Sequence, residues 1–180
     1  MSAGTAPMES ELPAQAVDTD TYIEIQRFMS EEAALLDRSA YAEWFALLTD
    51  DVSYRISNCL VRDRDEDTHD FPIVDEDREH LKLRVDQLSD PKLTKAENPA
   101  SLHRRFVTNL RADYGDRQET FAVTTNLLVY KNRTSYAQVD LYAAERFDLL
   151  ERKRGRLHIA RRYVRLDQSV LVGGTLSTIL

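Results

Sequence analysis

Few residues of this chain could do chemistry unaided: four histidines, one cysteine and a run of acids. Asp63, Asp65 and Asp67 have the alternate spacing that opens a calcium-binding EF-hand loop. The pattern then fails, because Thr68 stands where the sharp turn needs glycine and Val74 where the loop needs its bidentate glutamate. His69, His80, His103 and His158 are scattered, and no His-Glu-x-x-His pair occurs. A single cysteine, Cys59, is too few for an iron–sulfur site of two cysteines and two histidines. A mononuclear iron site needs two histidines and a carboxylate converging on one point. Only His80, with Glu76 or Asp77, comes near that, within an acidic stretch that reads as an exposed helix. Cys59 lies in a strand-like run with no histidine close in sequence, which favours a small core residue over an activated thiol. Gly173-Gly174 is the only glycine pair, no helix follows it, and no phosphate-cradling glycine motif is present.

Proton transfer is the chemistry that remains. Glu32 falls on the apolar stripe Tyr22, Ile25, Phe28, Met29, Leu35 and Leu36. A carboxylate on such a face is paired, protonated or at an edge. Glu32 is therefore either a base or a structural group held by arginine or backbone, and the second is the commoner arrangement. Tyr54, His103, Asp140 and Tyr142 are further acid–base candidates if the fold encloses a pocket. Asp140 could equally pair across strands with an arginine.

These residues are positioned by helices first and strands after. Residues 1–18 carry Gly4, Pro7 and Pro13 without an apolar period and read as a flexible arm, with one domain from 19 to 180. Thr21 with Glu24 suggests a capping box for a helix ending near Asp37. Ser39 is the expected cap of a second, short helix whose apolar face is Tyr41, Trp44, Phe45 and Leu48. Asp50-Asp51 reads as a stop before a strand from Val52 to about Arg62. Asp63–Asp67 is a loop, and Asp75–Leu88 fits a third helix.

Four long strands follow: His103–Arg111, Glu119–Lys131, Tyr136–Leu150 and Leu157–Asp167, with turns at Tyr114–Asp116, Lys131–Ser135 and Arg154–Arg156. In the second, Phe121, Val123, Thr125, Leu127 and Val129 share one face. In the third, Val139, Leu141, Ala143, Phe147 and Leu149 oppose Asp140, Tyr142 and Arg146. Helices before a meander predict an α+β fold, N-terminal helices packed on a strongly curved antiparallel sheet. That outline resembles the cone shared by nuclear transport factor 2, ketosteroid isomerase and scytalone dehydratase.

Composition narrows the class. The chain has 180 residues, 42% hydrophobic and 31% charged, enough for one globular core. Net charge is −7, which argues against a nucleic-acid binder. No apolar run is long enough to span a membrane, and no leader pattern opens the chain. One cysteine fits a reducing cytoplasm. Acid crowds Asp63–Glu79 and base crowds Arg152–Arg165, an asymmetry that suits complementary docking patches as well as two solvated surfaces.

Four stretches together resemble the small (beta) subunit of aromatic-ring-hydroxylating, Rieske-type dioxygenases, in its naphthalene and biphenyl group. They are Glu32–Asp37 with Tyr41, Glu43-Trp44 and Asp50–Tyr54; Ser101–Asn109; Gly155–Arg162 leading to Leu166-Asp167-Gln168; and Leu176–Leu180. Ser57, Leu102, Arg105 and Thr175 depart from the family pattern.

The resemblance implies the cone-like fold and no catalytic residue, cofactor or metal in this chain. It implies a large (alpha) subunit carrying the Rieske [2Fe-2S] cluster and mononuclear iron, joined with this one as a three-plus-three hexamer. It further implies electrons from NADH through a reductase and ferredoxin, and a cis-dihydrodiol product. The rival reading is a stand-alone isomerase, dehydratase or cyclase on the same cone. Under the leading reading Glu32 is a structural carboxylate held by Arg55 or Arg105, with Tyr41 and Trp44 fixing the helices on the sheet. Charge and exposed hydrophobes place the subunit interface at Arg104, Arg105, Phe71 with its acidic loop, Arg161, Arg162, Leu176 and Leu180.

Overall fold

The computed structural model describes residues 15–58, 72–90, 101–132, 139–168 and 178–180. Cys59, the Asp63–Asp67 run, His69, Phe71 and Leu176 lie outside them.

Helix α1, Thr19–Asp37, begins earlier than its sequence signal. Its cap is Asp18, whose carboxylate accepts from the Thr21 backbone N–H at 2.9 Å and from the Thr21 hydroxyl at 2.8 Å. Those bonds, with one from the Tyr114 hydroxyl, hold the Asp18 carboxyl well below the usual carboxylate range. The helix buries Ile25, Met29, Glu32, Ala33 and Leu36, one stripe at helical spacing. Ser39 does not cap the next helix. It ends α1, with φ 60° at the left-handed position, while Ser39 N–H donates to Leu36 O and Ala40 N–H to Leu35 O. That is the Schellman arrangement, which satisfies the last carbonyls of a helix. Helix α2, Tyr41–Phe45, therefore starts from Ala40 with no side-chain cap.

Strand β1, Leu48–Asn58, starts four residues before its apolar signal, and Asp50 and Asp51 are exposed within it rather than ahead of it. Strand β2, Pro72–Glu76, was not legible in the sequence and pairs antiparallel with β1. Helix α3, Arg78–Ser89, is capped by Asp77. Strands β3 (Leu102–Tyr114), β4 (Thr120–Asn132), β5 (Val139–Lys153) and β6 (Arg156–Leu166) form the antiparallel meander. Arg154 and Gly155, with φ 52° and 75°, make the two-residue turn between β5 and β6.

The six strands are ordered β2-β1-β6-β5-β4-β3 in one curved, unclosed sheet. One pair departs from an all-antiparallel sheet: β1 runs parallel to β6, which joins the β1–β2 hairpin to the meander.

Register decides which face holds the core. Phe121, Val123, Thr125, Leu127 and Val129 of β4 point inward and are buried. On β5 the inward set is Tyr142, Ala144, Arg146, Asp148 and Leu150. The more apolar face of that strand, with Val139, Leu141, Ala143 and Phe147, is turned away from the core. On β6 alternation breaks at Ile159-Ala160, both buried, opposite a register shift at Leu149/Leu150. The slip brings Arg162, not Arg161, inward.

Candidate functional site

Between α1 and the sheet lies a layer of charged side chains without access to solvent. Glu32, Arg146 and Arg162 are 0% exposed and Asp148 is 4% exposed. Asp148, Arg162 and Tyr54 sit side by side on one inward row of β5, β6 and β1, and Arg146 lies one row away. The Glu32 carboxylate accepts from Trp44 Nε1 at 2.9 Å, Arg162 Nη1 at 2.6 Å and Arg146 Nη1 at 3.3 Å. Arg162 also grips Asp148 in bidentate fashion at 2.7 and 3.2 Å, and Arg146 Nε lies 3.2 Å from the same carboxylate. Two positive and two negative groups make the layer neutral.

The electrostatics follow from that pairing. Burial pushes the Glu32 carboxyl up, but the charges of Arg162 and Arg146, with hydrogen bonds from Arg162 and Trp44, outweigh it and hold the group at about 2. Burial pulls Arg146 down from its ordinary value, and the nearby Arg162 charge adds to this. Arg162 is pushed up: burial opposes the shift, and Asp148 and Glu32 overcome it. A general base works best with a pKa near the operating pH. Glu32 is far too weak a base for that role, and burial raises Tyr54 away from neutral pH.

Residues 178–180 close the layer on one side. Tyr54 hydroxyl donates to Leu180 O at 3.1 Å and accepts from Leu180 N–H at 2.9 Å. Arg162 Nη1 reaches Leu180 O at 3.4 Å. Arg105 donates to Asp37 Oδ1 at 2.9 Å, Thr178 Oγ1 at 3.0 Å and Ile179 O at 2.7 Å. Trp44 meets Tyr54 edge to face at 6.5 Å, and Tyr41 is buried in the same core.

These placements correct several sequence expectations. Glu32 is held by Arg162 and Arg146, not by Arg55 or Arg105. Arg162 has no surface to offer a partner. Arg105 and Leu180 are tied into their own chain, whereas Arg104 and Arg161 are exposed. The acid–base candidates do not all converge. Tyr54 is bonded to Leu180, while His103 and Asp140 occupy another row with Lys131, two residues along β5 from Tyr142. Arg146, read only as a strand-face residue, and Asp148 were both missed as members of the layer. The signal for Asp148 was its spacing: two residues after Arg146, it shares that residue's face on a strand.

Among the described residues no three His, Cys, Asp or Glu side chains gather as metal ligands. His80 Nδ1 is bonded to Asp77 at 2.8 Å, and His158 Nδ1 lies 3.0 Å from Arg156 O.

The second feature is the outward sheet face. Leu102, Phe106, Leu128, Tyr130, Val139 and Leu141 are between 37% and 62% exposed there. Phe106, Leu128 and Ala143 line a groove of about 590 Å³ whose polar end holds Glu145 and Asp167.

The sequence profile of the ring hydroxylating beta subunit family matches residues 31–172. The benzene 1,2-dioxygenase subunit beta of Pseudomonas putida is 32% identical over 162 residues, covering 86% of each chain. The biphenyl 2,3-dioxygenase subunit beta of Rhodococcus jostii (strain RHA1) is 28% identical over 169 residues, covering 89% of each. A solved naphthalene 1,2-dioxygenase with indole bound in its active site superposes with a TM-score of 0.80 at 24% identity, over 91% of this chain and 88% of that one. A profile that spans most of the chain, on a fold whose two described buried acids, Glu32 and Asp148, are held by arginine, places this protein in the ring-hydroxylating beta-subunit family.

Proposed function

We propose that this chain is the non-catalytic beta subunit of an aromatic-hydrocarbon dioxygenase of the cytoplasm. The large alpha subunit carries the Rieske cluster, the mononuclear iron and the substrate, and three copies of each subunit form the hexamer. The holoenzyme joins an arene, O₂, NADH and a proton to give the cis-dihydrodiol and NAD⁺, both oxygen atoms entering the ring. A reductase and a ferredoxin deliver the electrons. Benzene, biphenyl or naphthalene is the substrate type, by the relatives' names.

The observation that carries this reading is the closed charge layer. Where a stand-alone enzyme on this fold would need an available acid or base, Glu32 and Asp148 are locked to arginine. The layer shapes and rigidifies the subunit. Co-expression with the large subunit tests the reading. We expect a complex with visible iron–sulfur absorbance that turns over arene with NADH, reductase and ferredoxin. The purified chain alone should be colourless and inert. Isomerase or dehydratase turnover by the chain alone, or failure to bind the large subunit, would overturn it.

A further inference from the structure

Residues 178–180, Thr-Ile-Leu, are held in the way a ligand is held. Thr178 is 3% exposed, and Ile179 and Leu180 are 0% exposed. Among the described residues none of their backbone groups pairs with another backbone group. Each hydrogen bond out of the segment runs to a side chain instead. Backbone polar groups buried outside a ladder need side chains aimed at them, and three strands supply these. The Tyr54 hydroxyl, on β1, donates to Leu180 O and accepts from Leu180 N–H. Arg105, on β3, gives Nη2 to both Thr178 Oγ1 and Ile179 O. Arg162, on β6, reaches Leu180 O.

The curvature of the sheet makes the cup. β1 and β3 have β6, β5 and β4 between them. On a flat sheet they would stand ~19 Å apart, at ~4.8 Å per strand. Three extended residues reach only ~10 Å, so Tyr54 and Arg105 meet the segment from opposite walls of the curve. Arg105 also carries more donors than the segment uses. Its side chain is 1% exposed. Nη2 serves residues 178–180, Nη1 serves Asp37, and Nε has no acceptor among the described residues. A buried donor left unsatisfied is costly, so apolar packing does not account for an arginine at this position.

We propose that the concave side of the sheet is a peptide-binding site, built from Tyr54, Arg105 and Arg162, which residues 178–180 occupy as a tethered ligand. The site takes a short peptide with a hydroxyl residue followed by two branched apolar residues. The arginines read its last two carbonyl oxygens through charge-assisted bonds. The tyrosine reads the N–H and C=O of its last residue together. Ile179 and Leu180 belong to the core cluster, and their burial supplies the driving force. Three residues of this size suit a pocket in the ~300–1,000 Å³ range of small-ligand sites. The tether keeps the site occupied, because a linked ligand meets it at an effective concentration on the order of millimolar. The site does not depend on the dioxygenase-subunit reading.

Amide exchange in the full chain tests this. The Leu180 N–H exchanges when the segment lifts away from Tyr54. Added acetyl-Thr-Ile-Leu captures the opened site and raises its population by the factor 1 + [L]/Kd. A millimolar site, with Kd of ~2.5 mM, therefore gives roughly threefold faster exchange at Leu180 in ~5 mM peptide. Acetyl-Leu-Ile-Thr, of the same composition in reverse order, should leave that rate unchanged. A second measurement removes both apolar anchors, with Ile179→Gly and Leu180→Gly in one chain. This chain should melt below the wild type, and acetyl-Thr-Ile-Leu should raise its Tm by ~2–3 °C. Adding Arg105→Met should abolish that gain. Leu180 exchange that ignores acetyl-Thr-Ile-Leu overturns the proposal, whether or not the diglycine chain folds, because 178–180 is then an ordinary part of the core. An equal response to both peptides also overturns it, since the cup then selects apolar bulk and not a peptide. A chain that responds as expected yet ignores the large subunit leaves the peptide site intact and overturns the dioxygenase-subunit reading.

Discussion

Removing the negative charge of Glu32 leaves Arg146 and Arg162 to share Asp148, one uncompensated cation in a site without water access. Breaking a buried pair from one side costs ~3–5 kcal/mol, whereas removing both partners with similar volume is close to neutral. Glu32→Gln should therefore lower unfolding free energy in urea by that amount. Glu32→Met with Arg146→Met should lose much less than the two single changes together; additive losses would show that the layer does not act as a unit. The pH dependence follows from the same geometry. The carboxyl titrates at about 2 in the fold against an ordinary 4.5. Its stabilisation is complete above pH 4.5 and is lost as pH falls from there towards 2, amounting to ~3 kcal/mol. Thermal melts between pH 5 and pH 2.5 should show this loss in the wild type and lack that component in Glu32→Gln. The sequence showed Glu32 on an apolar stripe, which is local information. Its partners lie 114 and 130 positions away on strands whose register the sequence does not specify.

At the scale of elements, long alternating runs were readable and junctions were not. The four meander strands lie within a few residues of their apolar periods. β2 escaped because Pro72–Glu76 has only Ile73 and Val74 as apolar residues and takes its shape from pairing with β1. Ser39 was misplaced because serine marks helix starts far more often than ends, yet here it occupies the left-handed position usually given to glycine. That error becomes a prediction. Ser39→Gly relieves the positive φ while the two backbone bonds of the motif remain. The chain should gain about 0.5 kcal/mol, the relief being partly offset by glycine's greater freedom when unfolded. A lower Tm for this variant would mean that Ser39 is not strained. β5 carries the more instructive misreading. Its apolar face looks like core, but pairing with β4 and β6 turns Arg146 and Asp148 inward, where Glu32 meets Arg146 and Arg162 meets Asp148, and leaves Leu141 outside.

An open six-stranded sheet has two edges, and an exposed edge is a template for uncontrolled pairing. In the whole molecule β3 is one of those edges, and two unrelated devices cover parts of it. Residues 15–17 lie along its far end: Tyr114 N–H donates to Gln15 O at 2.8 Å, Val17 N–H to Ala112 O at 3.2 Å, and Ala16 bridges Asp113. Nearer its start, the Asp37 carboxylate accepts the Arg105 backbone N–H at 3.2 Å. Composition alone assigned residues 15–17 to a flexible arm, since three residues carry no period; their order comes from the strand they join. A chain shortened by residues 1–14 keeps every one of these bonds. One shortened by residues 1–17 uncovers the Ala112 carbonyl and the Tyr114 N–H next to an outward face already rich in apolar side chains. The first should match the full chain in Tm and light scattering. The second should aggregate at concentrations where the first stays dispersed, with a Tm several degrees lower. Equal behaviour of the two would mean that the edge is guarded by Asp37 and the Asn109 bulge, whose φ of 53° and register shift already interrupt the strand.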